Sequence, residues 1–213
     1  MKKLFFAVFA LAALSLLAPS TGFAQTAWNQ IGIYTDQTGT PESANAVAEL
    51  GVEFFAYLVL TNPVNESFGA GNDGTEPVTA VDGFECKITL PASSSFFQLG
   101  VAYPAQAVNI GNEPNYYVGF ATSVAVTGTS VVLATFRYLI LAPGVFDVFL
   151  SGPDIPSLGE GMAFVDGNDG ETFNLQAVFP STSTTAVPVF SINGTNAIAT
   201  EAQTFGGVKS LFR

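Results

Sequence analysis

Apolar and polar residues alternate in short runs along most of this chain, which is the pattern that β-strands require. The clearest run is Gly83 to Leu90, where every second residue, from Phe84 onwards, is apolar. Because successive side chains of a strand point to opposite faces, this run predicts one buried face and one wet face, with Glu85 on the wet face. In Val52 to Leu60 both sets of positions are apolar, which predicts a central strand covered on both sides.

Further runs of the same kind recur, separated by clusters of Gly, Pro, Asn and Asp. The predicted strands are Ile31 to Thr35, Phe96 to Ala102, Tyr116 to Thr122, Ser130 to Leu141, Val145 to Leu150, Met162 to Val165, Phe173 to Phe179 and Val187 to Ile192. Short strands with a turn signal about every ten residues predict a single antiparallel β-sandwich, an all-β fold class. Glu42 to Leu50 is the one helical candidate, with a loop as the alternative.

The chain begins with the residue pattern of an export signal. Lys2 and Lys3 precede an apolar stretch, Leu4 to Ala18, and Gly22-Phe23-Ala24 has small residues at the positions that a signal peptidase reads. The apolar stretch is shorter than a membrane-spanning helix needs and ends at Pro19. We therefore predict a signal peptide at residues 1–24, a β-sandwich domain at 25–186, and a final strand with a C-terminal tail at 187–213. The product would be secreted, periplasmic or on the cell surface, with no membrane span in the mature chain.

The charge balance restricts the partners. Of the 6 basic residues, Lys2 and Lys3 leave with the signal, so 4 remain against 17 acidic ones, a net charge near −13. Such a surface repels phosphate backbones, which argues against nucleic acid as a partner. Solubility alone explains the acidic surface better than a specific cationic ligand does.

Most enzyme chemistries are missing from the composition. The sequence contains no histidine, which excludes Ser-His-Asp and Cys-His catalysis and histidine-ligated zinc. Cys86, the single cysteine, shares its strand face with Phe84 and Ile88 and is predicted to be a buried, inert thiol. No pair of acids can be assigned to sugar hydrolysis from the sequence, so we expect a protein that is not an enzyme and needs no cofactor.

Calcium is the metal most compatible with an acidic exported β protein. The loop Asp166-Gly167-Asn168-Asp169-Gly170-Glu171 begins like an EF-hand loop, and Asp166, Asn168 and Asp169 are its candidate ligands. However, Gly170 and Ala177 occupy positions where an EF-hand has acids. Ordinary turn chemistry is therefore the competing interpretation.

Aromatic residues suggest a second kind of site. Trp28, Tyr116 and Tyr117 could form a stacking platform for sugar rings, which would make the chain a carbohydrate-binding module. Strand alternation explains one of the two adjacent tyrosines as a core residue instead.

The segment Gly83 to Leu90 and the later run Val131 to Tyr138, which contains Leu133-Ala134-Thr135-Phe136, resemble cohesin-like domains. In that family such segments belong to a jelly-roll-like, immunoglobulin-related sandwich. The resemblance implies protein binding through an exposed sheet face, with a dockerin module as the family's usual partner.

The C-terminal tail is similar to that of a group of exported bacterial proteins that close with an aromatic-Gly-x-x-Lys-x-x-aromatic-Arg pattern. The residues that match are Phe205, Lys209, Phe212 and Arg213. We interpret the tail as a recognition or retention element, although a tail that only packs on its own domain would look the same.

Together these features predict a secreted, non-catalytic protein-binding or surface-structural module whose partner is another exported or surface protein. The alternative is a carbohydrate-binding module with polysaccharide as the ligand, followed by a glycan-acting enzyme.

Overall fold

β-Strands dominate the fold, as the alternating pattern predicts. The computed structural model describes residues 28–66, 76–159, 161–168 and 174–194. Within these ranges the chain forms one turn of 3-10 helix, Pro41–Ala44, and a series of strands. In chain order the strands are β1 (Gln30–Tyr34), β2 (Asn45–Ala46), β3 (Glu53–Thr61), β4 (Val64–Asn65), β5 (Glu76–Pro77), β6 (Ala80–Thr89), β7 (Phe96–Ala102), β8 (Ala107–Asn109), β9 (Asn115–Ala125), β10 (Ser130–Ile140), β11 (Phe146–Ser151), β12 (Met162–Asp166), β13 (Asn174–Pro180) and β14 (Phe190–Ile192).

The strands form two facing layers that are joined through β13. Sheet one has the order β1-β3-β10-β7, and sheet two has the order β8-β9-β6-β12-β13. Strand β11 pairs with the second half of β6 and carries β14 and then β2. The predicted all-β sandwich is therefore confirmed. Most pairings are antiparallel, but β1 runs parallel to β13 and β2 runs parallel to β14.

Aromatic side chains fill the space between the sheets. The rings of Phe136 and Tyr138, both from β10, stack with centroids 5.8 Å apart. Tyr116 of β9 meets Phe136 edge-on at 6.1 Å, which joins the two layers. Such pairs add to the free energy gained by burying apolar area. The abundance of Phe in the sequence thus serves the core, as a sandwich with two inner faces requires.

Strand β3 is central, between β1 and β10, but its outer face is only partly covered. Val59 is buried against Tyr34 and Ala44, where the 3-10 turn packs on the sheet. Phe55 on the same face is 54% exposed. The prediction that both faces are covered is therefore correct at one end of the strand and wrong at the other, because the covering turn is short.

The helix considered for Glu42 to Leu50 does not form. Pro41 opens a single 3-10 turn, and Asn45 already has extended dihedral angles, with φ −123° and ψ 141°. Ala44 and Ala46 are buried while Val47 is fully exposed, so the apolar stripe expected for a helix does not exist. The loop alternative fits, with a two-residue strand inside it.

The turn after β1 is organised around one carboxylate. Asp36 Oδ1 accepts hydrogen bonds from the backbone N–H groups of Thr38 at 2.9 Å and Gly39 at 2.7 Å. Asp36 Oδ2 accepts a hydrogen bond from the hydroxyl of Thr40. Burial opposes ionisation of Asp36, but hydrogen bonds from Thr40, Ser43, Thr38 and Gly39 hold its pKa well below the usual range.

We expect a pH-dependent contribution to stability from this turn. A carboxyl whose pKa is lowered by folding stabilises the protein above its unfolded pKa, about 3.9 for Asp, and this contribution disappears as the pH falls through the folded pKa. The stability difference between the natural chain and Asp36→Ala should be constant from pH 7 to 5 and shrink below about pH 4. Urea unfolding across this pH range measures it. A difference that grew on acidification would contradict the assignment.

Within the described ranges no helix is long and apolar enough to cross a membrane. The predicted signal peptide, residues 1–24, lies outside the described residues and stays a prediction.

Candidate functional site

An open groove of about 450 Å³ lies on sheet two. Strands β6, β9, β12 and β13 each contribute to it. Its lining residues are Phe84, Glu85, Ile110, Tyr117, Val118, Gly119, Ser157, Val165 and Leu175. The side chains of Phe84 and Val118 belong to the core, but those on the outer face are also mostly apolar, so the groove suits an apolar group of a ligand with few polar contacts.

Gly119 leaves the space that makes the groove. Tyr116, Val118 and Phe120 of β9 point towards the core, so alternation puts Tyr117 and Gly119 on the outer face. A Cβ atom built on Gly119 would meet nothing within 4 Å. Its cross-strand neighbour Gly83 differs, because a Cβ there would lie 2.5 Å from the carbonyl oxygen of Val118. Gly83 therefore permits close packing, whereas Gly119 opens a depression.

A loop crosses the outer face beside the groove, and we call residues 152–159 the strap. Two side chains of neighbouring strands hold its first half. Asp154 Oδ1 accepts a hydrogen bond from Lys87 Nζ at 2.7 Å, and Asp154 Oδ2 accepts one from Asn115 Nδ2 at 2.9 Å. These hydrogen bonds from Lys87 and Asn115 lower the pKa of Asp154. Asn115 also accepts a bond from the Asp154 backbone N–H at 3.0 Å.

The next pair of cross-strand neighbours holds the rest of the strap. The hydroxyl of Tyr117 donates to the carbonyl of Ile155 at 3.0 Å and accepts from its N–H at 3.2 Å. Glu85 accepts two bonds from Ser157, one from the backbone N–H at 2.8 Å and one from the hydroxyl at 2.6 Å. Glu85 pairs with Tyr117 across the ladder, as Lys87 pairs with Asn115. Two outward-facing rungs of the ladder, separated by the inward-facing pair Cys86 and Tyr116, therefore fix the strap.

Glu85 corrects one prediction from the alternating pattern. It lies on the outer face of β6, as predicted, but it is only 5% exposed because the strap covers it. Both carboxylate oxygens are used as acceptors for Ser157, so the charge is compensated by hydrogen bonds instead of by water. The predicted wet face is therefore buried at Gly83 and Glu85, half-buried at Lys87 and exposed at Thr89.

Three apolar side chains stand exposed around the groove. Ile110 is 81% exposed, Ile155 is 80% exposed, and Val108 of β8 is also exposed. Tyr117 lies between Ile110 and Ile155. Its carbonyl accepts a bond from the Ile110 N–H at 3.1 Å, and its hydroxyl accepts one from the Ile155 N–H at 3.2 Å. Grouped apolar exposure beside a concave surface is typical of a binding site.

The predicted aromatic platform is not assembled in the structure. Tyr116 is buried in the core and its ring contacts Phe136, so the prediction of an exposed Tyr116 is wrong. Alternation placed one of the two tyrosines inside, and it is Tyr116. Tyr117 lines the groove and is half-buried, while Trp28 is exposed just before β1, which belongs to sheet one.

Two of the three candidate calcium ligands already have protein partners. Asp166 is buried, accepting bonds from Asn65 Nδ2 at 2.8 Å and from the Asn168 N–H at 2.8 Å. Asn168 Oδ1 accepts from the backbone N–H and hydroxyl of Thr79. Asp169 lies outside the described residues. Over the described residues, no cluster of three His, Cys, Asp or Glu side chains could hold a metal ion. Calcium binding stays a prediction, and the structural role of Asp166 is what the geometry shows.

Cys86 is fully buried, as predicted, and burial together with the nearby Glu85 charge raises the pKa of its thiol.

The tail residues Phe205, Lys209, Phe212 and Arg213 lie outside the described residues.

Neither a protein-family model nor a curated protein matches the sequence. Solved structures are similar at low identity. The cohesin module of a Clostridium perfringens ATCC13124 family 33 glycoside hydrolase is 12% identical, with 72% of this chain and 91% of that chain covered and a TM-score of 0.42. A non-cellulosomal cohesin from Archaeoglobus fulgidus is 11% identical, with 72% and 86% covered and a TM-score of 0.41. A type II cohesin domain from the cellulosome of Acetivibrio cellulolyticus is 11% identical, with 72% of this chain and 92% of that chain covered and a TM-score of 0.41.

The resemblance to cohesin-like domains in two strands of the sequence is thus accompanied by a weak structural similarity to cohesin modules, at 11–12% identity and TM-scores of 0.41–0.42.

Proposed function

We propose that this chain is an exported, non-catalytic module that binds another protein through the groove on sheet two. The observation that carries the proposal is the open groove at Gly119, with Ile110 and Ile155 exposed beside it. The strap holds Ile155 in place through Tyr117 before any partner arrives. A preorganised surface loses less conformational entropy on binding, which favours affinity.

The groove offers little for catalysis. Glu85 is the carboxylate that lines it, and both of its oxygens are hydrogen-bonded to Ser157. A catalytic acid or base needs a carboxyl that can reach the substrate's proton. The same side chains instead give the groove a fixed shape, which suits recognition.

The expected partner carries an apolar side chain that enters the groove and no excess of negative charge. Lys87 and Arg137 are the two basic residues of the described ranges, and both are in ion pairs with acidic residues. The remaining charged surface is acidic, so electrostatic repulsion disfavours acidic partners. An exported or surface protein with a neutral or basic apolar segment fits these conditions.

Replacing both Ile110 and Ile155 with Asp should weaken partner binding by about tenfold or more, because two exposed apolar contacts are lost and two charges are added. The test captures partners from the secreted and surface fraction of the source cells and measures their affinity for both chains. Phe55→Asp is the matched control, since Phe55 is an exposed apolar residue on sheet one. It should leave binding unchanged.

A partner retained by the double variant but lost with Phe55→Asp would place the site on the other sheet and contradict the proposal. Binding of polysaccharide without any protein would favour the carbohydrate-binding alternative, with Tyr117 as the first residue to substitute.

A further inference from the structure

Five exposed apolar residues gather at one end of the sandwich, away from the groove lining. They lie in the loop before β3 and in the turn between β10 and β11. We call these five residues the end patch: Val47, Leu50, Val52, Leu141 and Val145. Val47 is 96% exposed. Apolar side chains scattered singly need no explanation, but a group of this size points to a covering segment.

Backbone contacts bring the segments of the end patch together. The Gly51 N–H donates to the Ile140 carbonyl at 2.8 Å, which places Leu50 and Val52 beside Leu141. The Asn193 N–H donates to the Ala46 carbonyl at 2.8 Å, which places Val47 near the end of β14. The end patch is therefore one surface made from two parts of the chain, with the end of β14 beside it.

The described chain ends within this surface. A Cβ atom on Gly194 would lie 2.6 Å from Val145 Cγ1, so the last described residue touches the end patch. Asn193 Oδ1 accepts a bond from the Ala48 N–H at 2.9 Å, which fixes the direction of the exit. Residues 195–213 follow directly. At about 3.3 Å per residue, a segment of this length can reach every residue of the end patch.

The sequence of that segment complements the surface. It contains Phe205, Val208, Leu211 and Phe212, and its basic residues are Lys209 and Arg213. Glu49 lies between the patch residues Val47 and Leu50, and Glu53, which pairs with Arg137, follows Val52. Apolar side chains could cover the end patch while the basic groups face these acids.

We propose that the end patch is the docking surface for the chain's own C-terminal segment, residues 195–213. This interaction is independent of the groove, since the two share no lining residue. The proposal gives the tail a binding site on its own domain. A partner that binds the tail would first have to displace the tail from the end patch.

Limited proteolysis with trypsin tests the proposal. Lys87 and Arg137 lie inside strands, so cleavage after Lys209 reports on the tail. In the natural chain this cleavage should be slower than in a free peptide of residues 195–213. Leu50→Asp combined with Val145→Asp should accelerate it at least about tenfold, since losing the burial of even one aliphatic side chain gives that factor. Phe179→Asp, at an exposed apolar residue of β13, is the matched control and should leave cleavage after Lys209 unchanged.

A substitution in the tail tests whether faster cleavage comes from a misfolded domain instead of from a lost contact. Phe205→Asp leaves the sandwich unaltered and should also accelerate cleavage after Lys209, relative to a free peptide with the same substitution. Cleavage of the natural chain at the free-peptide rate would overturn the proposal. Protection that persists in the Leu50→Asp, Val145→Asp chain, or that depends on protein concentration, would overturn it as well, because the tail would then lie elsewhere or on a second copy.

Discussion

Replacing Phe136 with Ala should lower the free energy of unfolding by about 3–5 kcal/mol. Phe136 is completely buried between the two sheets. Its ring stacks on Tyr138 and receives the edge of Tyr116, so the substitution removes contacts within β10 and between the layers. The rigid strands on either side cannot close around the missing ring, and a cavity adds to the lost burial.

Urea unfolding followed by circular dichroism measures this change. Phe55→Ala is the matched control, because Phe55 has the same side chain in the neighbouring strand β3 but is exposed on the outer face. Its substitution should cost no more than about 1 kcal/mol. Equal losses for the two variants would mean that the space between the sheets is not the core.

Replacing Asp166 with Ala should cost about 2–4 kcal/mol, the second largest effect we expect. Asp166 is buried at the end of β12, where its two oxygens accept bonds from Asn65 and from the Asn168 N–H. Asn65 in turn accepts a bond from Gln176 Nε2 at 2.8 Å. Removal of the carboxylate leaves buried donors with one acceptor fewer. A buried donor without an acceptor lowers stability, because folding also removes its hydrogen bond to water.

The same variant separates the structural role from the calcium prediction. If Asp166 is a structural acceptor, the loss of stability should be equal in a calcium chelator and in millimolar calcium. Glu76→Ala, which changes an exposed acid on β5, should have a much smaller effect. A loss that appears only in the presence of calcium would contradict the structural assignment and make Asp166 a calcium ligand.

Much of the fold could be predicted from the sequence, because strand alternation is a local signal. The run from Gly83 to Leu90 lies in β6, and Cys86 is buried as its phase indicates. The helix considered for Glu42 to Leu50 was wrong, and its loop alternative right, because Pro41 and the extended Asn45 allow only one 3-10 turn. Two-residue strands such as β2 and β4 carry too few positions for a pattern, and the parallel pairing of β1 with β13 has no local signal.

The candidate site could not be predicted in the same way, because it depends on distant partners. Glu85 and Ser157 are 72 positions apart, and Tyr117 is 38 positions from Ile155. The strap was visible in the sequence only as a cluster of Gly and Pro, which indicates a turn but not what the turn covers. Gly119 likewise looked like any strand glycine, and its open space exists only once β6 and β12 lie beside it.

The most direct test of the central claim is the affinity of the captured partner for Gly119→Val and Gly100→Val. Each glycine lies within a strand, and a Cβ on either would meet nothing within 4 Å, so both variants should fold. Gly119 lines the groove and Gly100 belongs to sheet one. We expect Gly119→Val to weaken binding at least about tenfold, by filling space that the partner's side chain needs, while Gly100→Val binds like the natural chain. Unchanged binding by Gly119→Val, or an equal loss in both variants, would contradict the groove as the binding site.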